Sequence, residues 1–173
     1  MEDFGEYQAA VEENGKRLRA FLDTFDHTIP EGLHEIVDRV DAEVWQEIDC
    51  MECARCCHVM TPTYSEDDIE RISNHLMLSR EEFIEEYLEE SEDESGVLMH
   101  KENPCVFLKG NLCSIYDVRP ENCKDFPYHK IRPFDEYNLT FIQNLEHCPA
   151  TYLLVSKMEE LLMRDYNWVE HME

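Results

Sequence analysis

Residues 49–59 read DCMECARCCHV, in which Cys50, Cys53, Cys56 and Cys57 form a C-x2-C-x2-C-C run. Two-residue gaps let successive sulfurs curl toward one centre while the intervening amides point inward, the geometry that recurs in zinc knuckles and iron–sulfur loops. The run therefore predicts an irregular knuckle wrapped around a metal rather than a regular helix. Cys105, Cys113, Cys123 and Cys148 supply four more thiols from the second half, so that all eight cysteines of the chain are candidate metal ligands. A bound cation lowers a thiol pKa from its free value of about 8.5, which puts the thiolate form within reach at neutral pH.

Cys56 and Cys57 raise the question of how the eight divide. Neighbouring side chains on an extended backbone point to opposite faces, which implies two sites or one large cluster. One division groups Cys50, Cys53 and Cys56 with Cys148, because three cysteines at two-residue gaps plus a distant Cys-Pro follow the bacterial ferredoxin arrangement. Cys57, Cys105, Cys113 and Cys123 then form the second set. In ferredoxins the fourth cysteine can serve the other cluster, so the opposite partition stays open. His58 and His147 adjoin candidate ligands and could complete a Cys3His site, but with eight thiols available they read as supporting or surface residues. Arg55 and Arg119 are placed to donate charge-assisted hydrogen bonds to sulfur, and Arg119 could equally pair with a surface carboxylate.

The 173 residues, 43% of them hydrophobic, fit one domain spanning 1–173. A formal charge of −25 would repel phosphate backbones and anionic lipid headgroups, so neither nucleic acid nor membrane is expected as a partner. The acidity reads as a solvated surface or, with only six lysines, as salt adaptation; recruitment of a basic protein is the alternative. The first twenty residues lack a basic start and apolar core, and no uncharged apolar run is long enough to span a bilayer, which predicts a cytoplasmic protein. In a reducing cytosol clustered thiols bind metal more often than they form disulfides. Thiol–disulfide exchange is weaker, because no βαβ pattern accompanies the C-x2-C gaps. Five glycines form neither a dinucleotide fingerprint nor a phosphate loop, and His-Glu-x-x-His and Gly-x-Ser-x-Gly are absent.

The flanks read as mainly α, with a small irregular β-hairpin region. Phe4, Tyr7, Val11, Leu18, Phe21 and Phe25 make one helical stripe; Leu33, Ile36, Val37, Val40, Val44 and Ile48 make another, with Pro30 at its start. The short connection at 26–30 suggests a helical hairpin over 1–48. Ser65 with Asp68, and Ser79 with Glu82, are capping boxes that begin helical runs over 68–78 and 81–90. Residues 91–96, SEDESG, form an exposed acidic break. Around Lys109-Gly110-Asn111 the segments 106–108 and 112–116 suit a hairpin, and 137–143, YNLTFIQ, suit a strand. A closing helix from Pro149 would bury Leu153, Leu154, Met158, Leu161, Leu162 and Tyr166, followed by a tail to 173. The cysteine core at 49–149 is expected to pack against this closing helix and the hairpin.

Taken together, CMECARCC, the following TYSEDDIERI, PCVFLKGNLCSIYDVRPENCKDFPY and the late His-Cys-Pro resemble the YkgJ-type C-x2-C-x2-C-C cysteine-cluster family, described as zinc- or iron-chelating. The resemblance covers residues 50–149 and implies metal on the matching cysteines; a related domain in flagellin lysine methylases implies an iron–sulfur cluster. Ala54 and Ala150 stand where the family usually has glycine. Taken with the resemblance, the sequence leads to a cysteine-ligated protein carrying an iron–sulfur cluster of 4Fe–4S type, or zinc, that transfers electrons to a protein redox partner or assists a redox or methyl-transfer enzyme. The alternative is a zinc or iron chelator with a structural or metal-delivery role. No residue set nominates a substrate pocket, so no reaction is assigned.

Overall fold

A computed structural model describes residues 4–165 and 168–170. In chain order the elements are α1 (Phe4–Asp23), β1 (Thr28–Pro30), α2 (Leu33–Glu47), α3 (Cys50–Cys53), α4 (Arg55–Val59), β2 (Thr63–Tyr64), α5 (Glu66–Leu76) and α6 (Arg80–Tyr87). They continue as β3 (Leu88–Glu90), β4 (Leu98–His100), β5 (Leu108–Lys109), β6 (Leu112–Cys113), α7 (Glu121–Asp125), α8 (Asn138–His147), α9 (Pro149–Asp165) and β7 (Trp168–Glu170). The chain is mainly α with small antiparallel strand pairs, and no described helix is long and apolar enough to cross a membrane. These elements fall into two compact units: Met1–Asp49 with Pro127–Glu173, and Cys50–Phe126.

The first unit is a helical assembly organised by its carboxy-terminal pair. α1 packs on α8 and α9, and α2 packs on α9, so each helix of the expected amino-terminal hairpin finds its main partner there. The stripes explain the contact: Tyr7, Leu18, Phe21 and Leu22 of α1 and Ile36, Val37, Val40 and Val44 of α2 are buried. Leu154, Val155, Met158 and Leu162 of α9 meet them at helical spacing. The Tyr7 hydroxyl donates to the Leu145 carbonyl at 2.6 Å, tying α1 to α8. Phe134 and Phe141 stack at 4.0 Å, and Phe25 meets Phe134 and Trp168 at 6.4 and 5.9 Å. Trp168 lies on β7, which pairs antiparallel with β1, Ile29 opposite Val169. The side chain of Phe4, and Tyr166, lie outside the described residues.

The strand expected at 137–143 is helical: Asn138–His147 is α8, entered through a 3-10 turn at Asp135–Tyr137. Its β-branched and aromatic content suggested a strand, but Asn138, Phe141, Asn144 and Leu145, spaced by three and four, form the buried face. A helical burial pattern outweighs intrinsic β preference, which is strongly context-dependent.

In the second unit both capping boxes are present. The Ser65 hydroxyl accepts the Asp68 amide at 3.1 Å while Asp68 accepts the Ser65 amide at 3.0 Å; Ser79 and Glu82 repeat the exchange at 3.2 and 2.8 Å. Ile69 and Ile72 of α5 and Phe83 of α6 are fully buried together with Tyr64, Leu88, Phe107 and Ile115. The second helical run ends at Tyr87, because residues 88–90 leave the helix as β3 and pair with β4. A three-stranded sheet ordered β2-β4-β3 results, with the acidic break at 91–96 as its exposed connection. The hairpin around Gly110 is β5–β6, Leu108 opposite Cys113, with Gly110 at φ +63° in the turn.

Candidate metal centre

The cysteine run folds as two single helical turns, α3 and α4, rather than as an irregular knuckle, and the joint between them is Ala54 at φ 46° and ψ 12°. This left-handed conformation costs a residue with a Cβ about 1–2 kcal/mol, which explains why glycine suits the position. The turn is closed by Ala54 N–H to Cys50 O and Cys57 N–H to Ala54 O, each 3.0 Å. Because Cys56 and Cys57 are helical, the extended-backbone reasoning that sent them to opposite faces does not apply: the two thiols hydrogen-bond each other.

Three further turns stand beside this one. The Cys105 amide donates to Cys57 O at 2.9 Å, stitching the second stretch of cysteines to the first. The amides of Phe107 and Leu108 are directed at the Cys105 sulfur, and that of Ile115 at the Cys113 sulfur. Amide donors two and three residues past a cysteine are the arrangement that stabilises a thiolate. Cys123 sits on α7, a short helix that sequence patterning missed. The start of α7 is held by Asp68, which accepts the Glu121 amide at 3.1 Å, while Arg71 donates to the carbonyls of Val118 (3.4 Å) and Arg119 (3.0 Å). The Ser65–Asp68–Arg71 pattern and the Arg119-Pro120-x-x-Cys123 pattern are thus two halves of one hydrogen-bonded clamp.

Charges link several of these thiols. Burial pushes the Cys123 thiol up to about 12, aided by the charges of Cys57, Cys105 and Cys113 and opposed by Arg119. Cys105 is raised by burial and by Cys57 and Cys113; Cys113 is raised by burial and Cys57, with Arg119 again opposing. Cys57 is raised first by its hydrogen bond with Cys56, then by burial and the charge of Cys56. Partly buried thiols whose ionisation is opposed by burial and by neighbouring sulfurs are helped to the thiolate form by an added cation, which is the donor chemistry of a metal site. Among the described residues, no three or more His, Cys, Asp or Glu side chains form a ready-made cation site.

The remaining candidates are distributed as follows. Cys50 is exposed and Cys53 half-buried on α3, which packs on β6; Asn111 Nδ2 donates to Glu52 O at 2.8 Å across that contact. Cys148 belongs to the other unit, buried at the joint of α8 and α9, with its amide on Asn144 O at 2.8 Å. None of the eight cysteines is in a disulfide. His58 is exposed and His147 partly buried. Arg119 lies over the Tyr116 ring at 3.8 Å.

Two buried polar groups escaped the sequence reading. Asp41 Oδ1 lies 2.7 Å from His129 Nδ1, and His129 Nε2 lies 3.0 Å from Thr151 Oγ1, all three side chains being buried. Tyr64 and His100 form the second, beside the cysteine turns. The available signal was weak: Asp41 falls on the apolar stripe of α2 between Val40 and Val44, and nothing in the sequence names its partner.

Residues 49–149 match the family model CxxCxxCC, described as "Putative zinc- or iron-chelating domain". An uncharacterized protein of Methanocaldococcus jannaschii, MJ0661, is 31% identical over 114 residues, 64% of this chain, and the chain spans 62% of that protein's length. No solved structure matches the chain. The match takes in more than half of the chain and every cysteine; the chain therefore belongs to the CxxCxxCC family, whose description supports metal binding.

Proposed function

We propose that this chain is a cysteine-ligated metal protein with Cys57, Cys105, Cys113 and Cys123 as one ligand set and Cys50, Cys53, Cys56 and Cys148 as further ligands. The observation that carries the reading is that the charge of Cys57 acts on Cys105, Cys113 and Cys123, with amides directed at the Cys105 and Cys113 sulfurs. An iron–sulfur cluster of 4Fe–4S type is the preferred group, and it would supply one-electron chemistry. The chain's own residues would tune it: amides of Phe107, Leu108 and Ile115 withdraw charge from sulfur, and Arg119 offsets the negative charge of Cys113 and Cys123. In this role the protein would work in the cytoplasm, passing electrons to a protein partner or assisting a redox or methyl-transfer enzyme.

The alternative, zinc or iron held for structure or delivery with no redox step, is favoured by the family description and by the C-x2-C gaps of Cys50, Cys53 and Cys56, a spacing that recurs in zinc knuckles. Anaerobic purification separates the two. A brown protein containing iron and acid-labile sulfide, bleached by dithionite, supports the cluster; a colourless protein with stoichiometric zinc and neither iron nor sulfide establishes the alternative instead.

A further inference from the structure

α7 is too short to place itself. It has five residues, and isolated helices shorter than about 12–15 residues are marginal in water. Within this single turn the Cys123 and Lys124 amides return to Pro120 O at 2.9 and 3.1 Å. Those bonds keep the turn closed, but they do not fix where it stands. The place of Cys123 is therefore set by whatever holds Glu121 and the chain before it from outside.

That hold comes from α5. Asp68 is 2% exposed and divides its two carboxylate oxygens between two helices. Oδ2 accepts the Ser65 amide at 3.0 Å, which caps α5, and Oδ1 accepts the Glu121 amide at 3.1 Å, which starts α7. On the next turn of α5, Arg71 donates to the same Oδ1 and to the carbonyls of Val118 at 3.4 Å and Arg119 at 3.0 Å. Bonds from an amide and a guanidinium to a carboxylate are charge-assisted and stronger than neutral ones. Ile69 and Ile72 are fully buried, so α5 is itself fixed in the core. The other capping box of this unit lacks the second role: Glu82 accepts the Ser79 amide at 2.8 Å, is exposed and, among the described residues, caps α6 alone.

We infer that Asp68 and Arg71 are the positioning residues for Cys123: they hold α7 in place before metal arrives and so govern how firmly the site of Cys57, Cys105, Cys113 and Cys123 retains its ion. The inference rests on the metal reading above and deepens it. A ligand ordered in advance loses less conformational freedom on binding. A tetrahedral site whose fourth ligand swings away opens a position to water or to a competing chelator. Loosening α7 therefore speeds metal release without removing any sulfur.

The test uses the full chain under anaerobic conditions. Arg71→Met and Asp68→Asn are each expected to speed zinc transfer to a chelator about tenfold, within the range for lost supporting contacts at metal sites. In the metal-free protein both are expected to raise the rate at which iodoacetamide labels Cys123, read by peptide mass mapping against the other seven cysteines. The Arg71 side chain is 30% exposed, so Arg71→Met decides the matter alone if Asp68→Asn does not fold. Ser79→Ala, which breaks the other capping box, is expected to lower stability as lost caps do and to leave zinc transfer and Cys123 labelling at wild-type rates. Unchanged zinc transfer or unchanged Cys123 labelling in a folded Arg71→Met protein, or equal acceleration in Ser79→Ala, overturns the inference. Wild-type protein showing no thiolate-to-cobalt absorption when loaded with cobalt(II) instead overturns the metal reading itself, before any variant is compared.

Discussion

Asp41 shows how one residue can be placed by partners that the sequence does not announce. Burial alone would raise its pKa, but the hydrogen bond and charge of His129, the Trp45 indole and the charge of Lys130 together hold it below the usual carboxylate value. A folded pKa below the unfolded value of about 3.9 means the stabilisation is complete above that pH and is lost as pH falls through the lower, folded value. Asp41→Asn keeps the shape and removes the charge. It is expected to cost about 1–3 kcal/mol at pH 7 in urea unfolding, with the gap to wild type closing below about pH 4. A gap that stayed constant into acid would remove the charge from the account. Ala54 was legible only through the family resemblance, as a residue standing where glycine is usual, and its φ of 46° is the physical reason.

Among the elements, those announced by local chemistry were readable and those set by tertiary packing were not. The capping boxes at Ser65 and Ser79 and the Gly110 hairpin each depend on residues within a few positions, so sequence alone located them. α8 was misread because YNLTFIQ carries strand-like residues whose burial on Phe134 and its neighbours is decided elsewhere in the chain. α7 and the three-stranded sheet were missed because five-residue helices and three-residue strands give too little periodicity to detect. The end of α5 offers a test at this scale. Met77 caps it at φ 59°, with the Leu78 amide returning to Ser73 O at 3.0 Å, and its side chain is 91% exposed. Glycine normally holds such a position, and Met77 has almost no burial to lose. Met77→Gly is expected to stabilise the protein by about 1 kcal/mol, read as a higher denaturant midpoint; a lower midpoint would contradict the strain assigned to that cap.

For the molecule as a whole, the sequence marked the eight thiols and the family and offered Cys57, Cys105, Cys113 and Cys123 as one of two partitions, and the structure adds that burial and then the charges of the first three raise the Cys123 thiol. Cys50–Phe126 builds its core around short elements. A structural metal in small peptides contributes about 10–16 kcal/mol, against a net stability of about 5–15 kcal/mol for a domain. Chelation is therefore expected to raise amide hydrogen exchange across residues 50–126 first, and uniform exchange across the chain would argue against metal as the staple of that unit. The most direct measurement is metal content per chain after anaerobic purification, for wild type and for Cys123→Ser. The account expects near-stoichiometric iron or zinc in the wild type and a clear loss in the variant. A fully folded wild type free of metal, or a variant with unchanged metal, would contradict it.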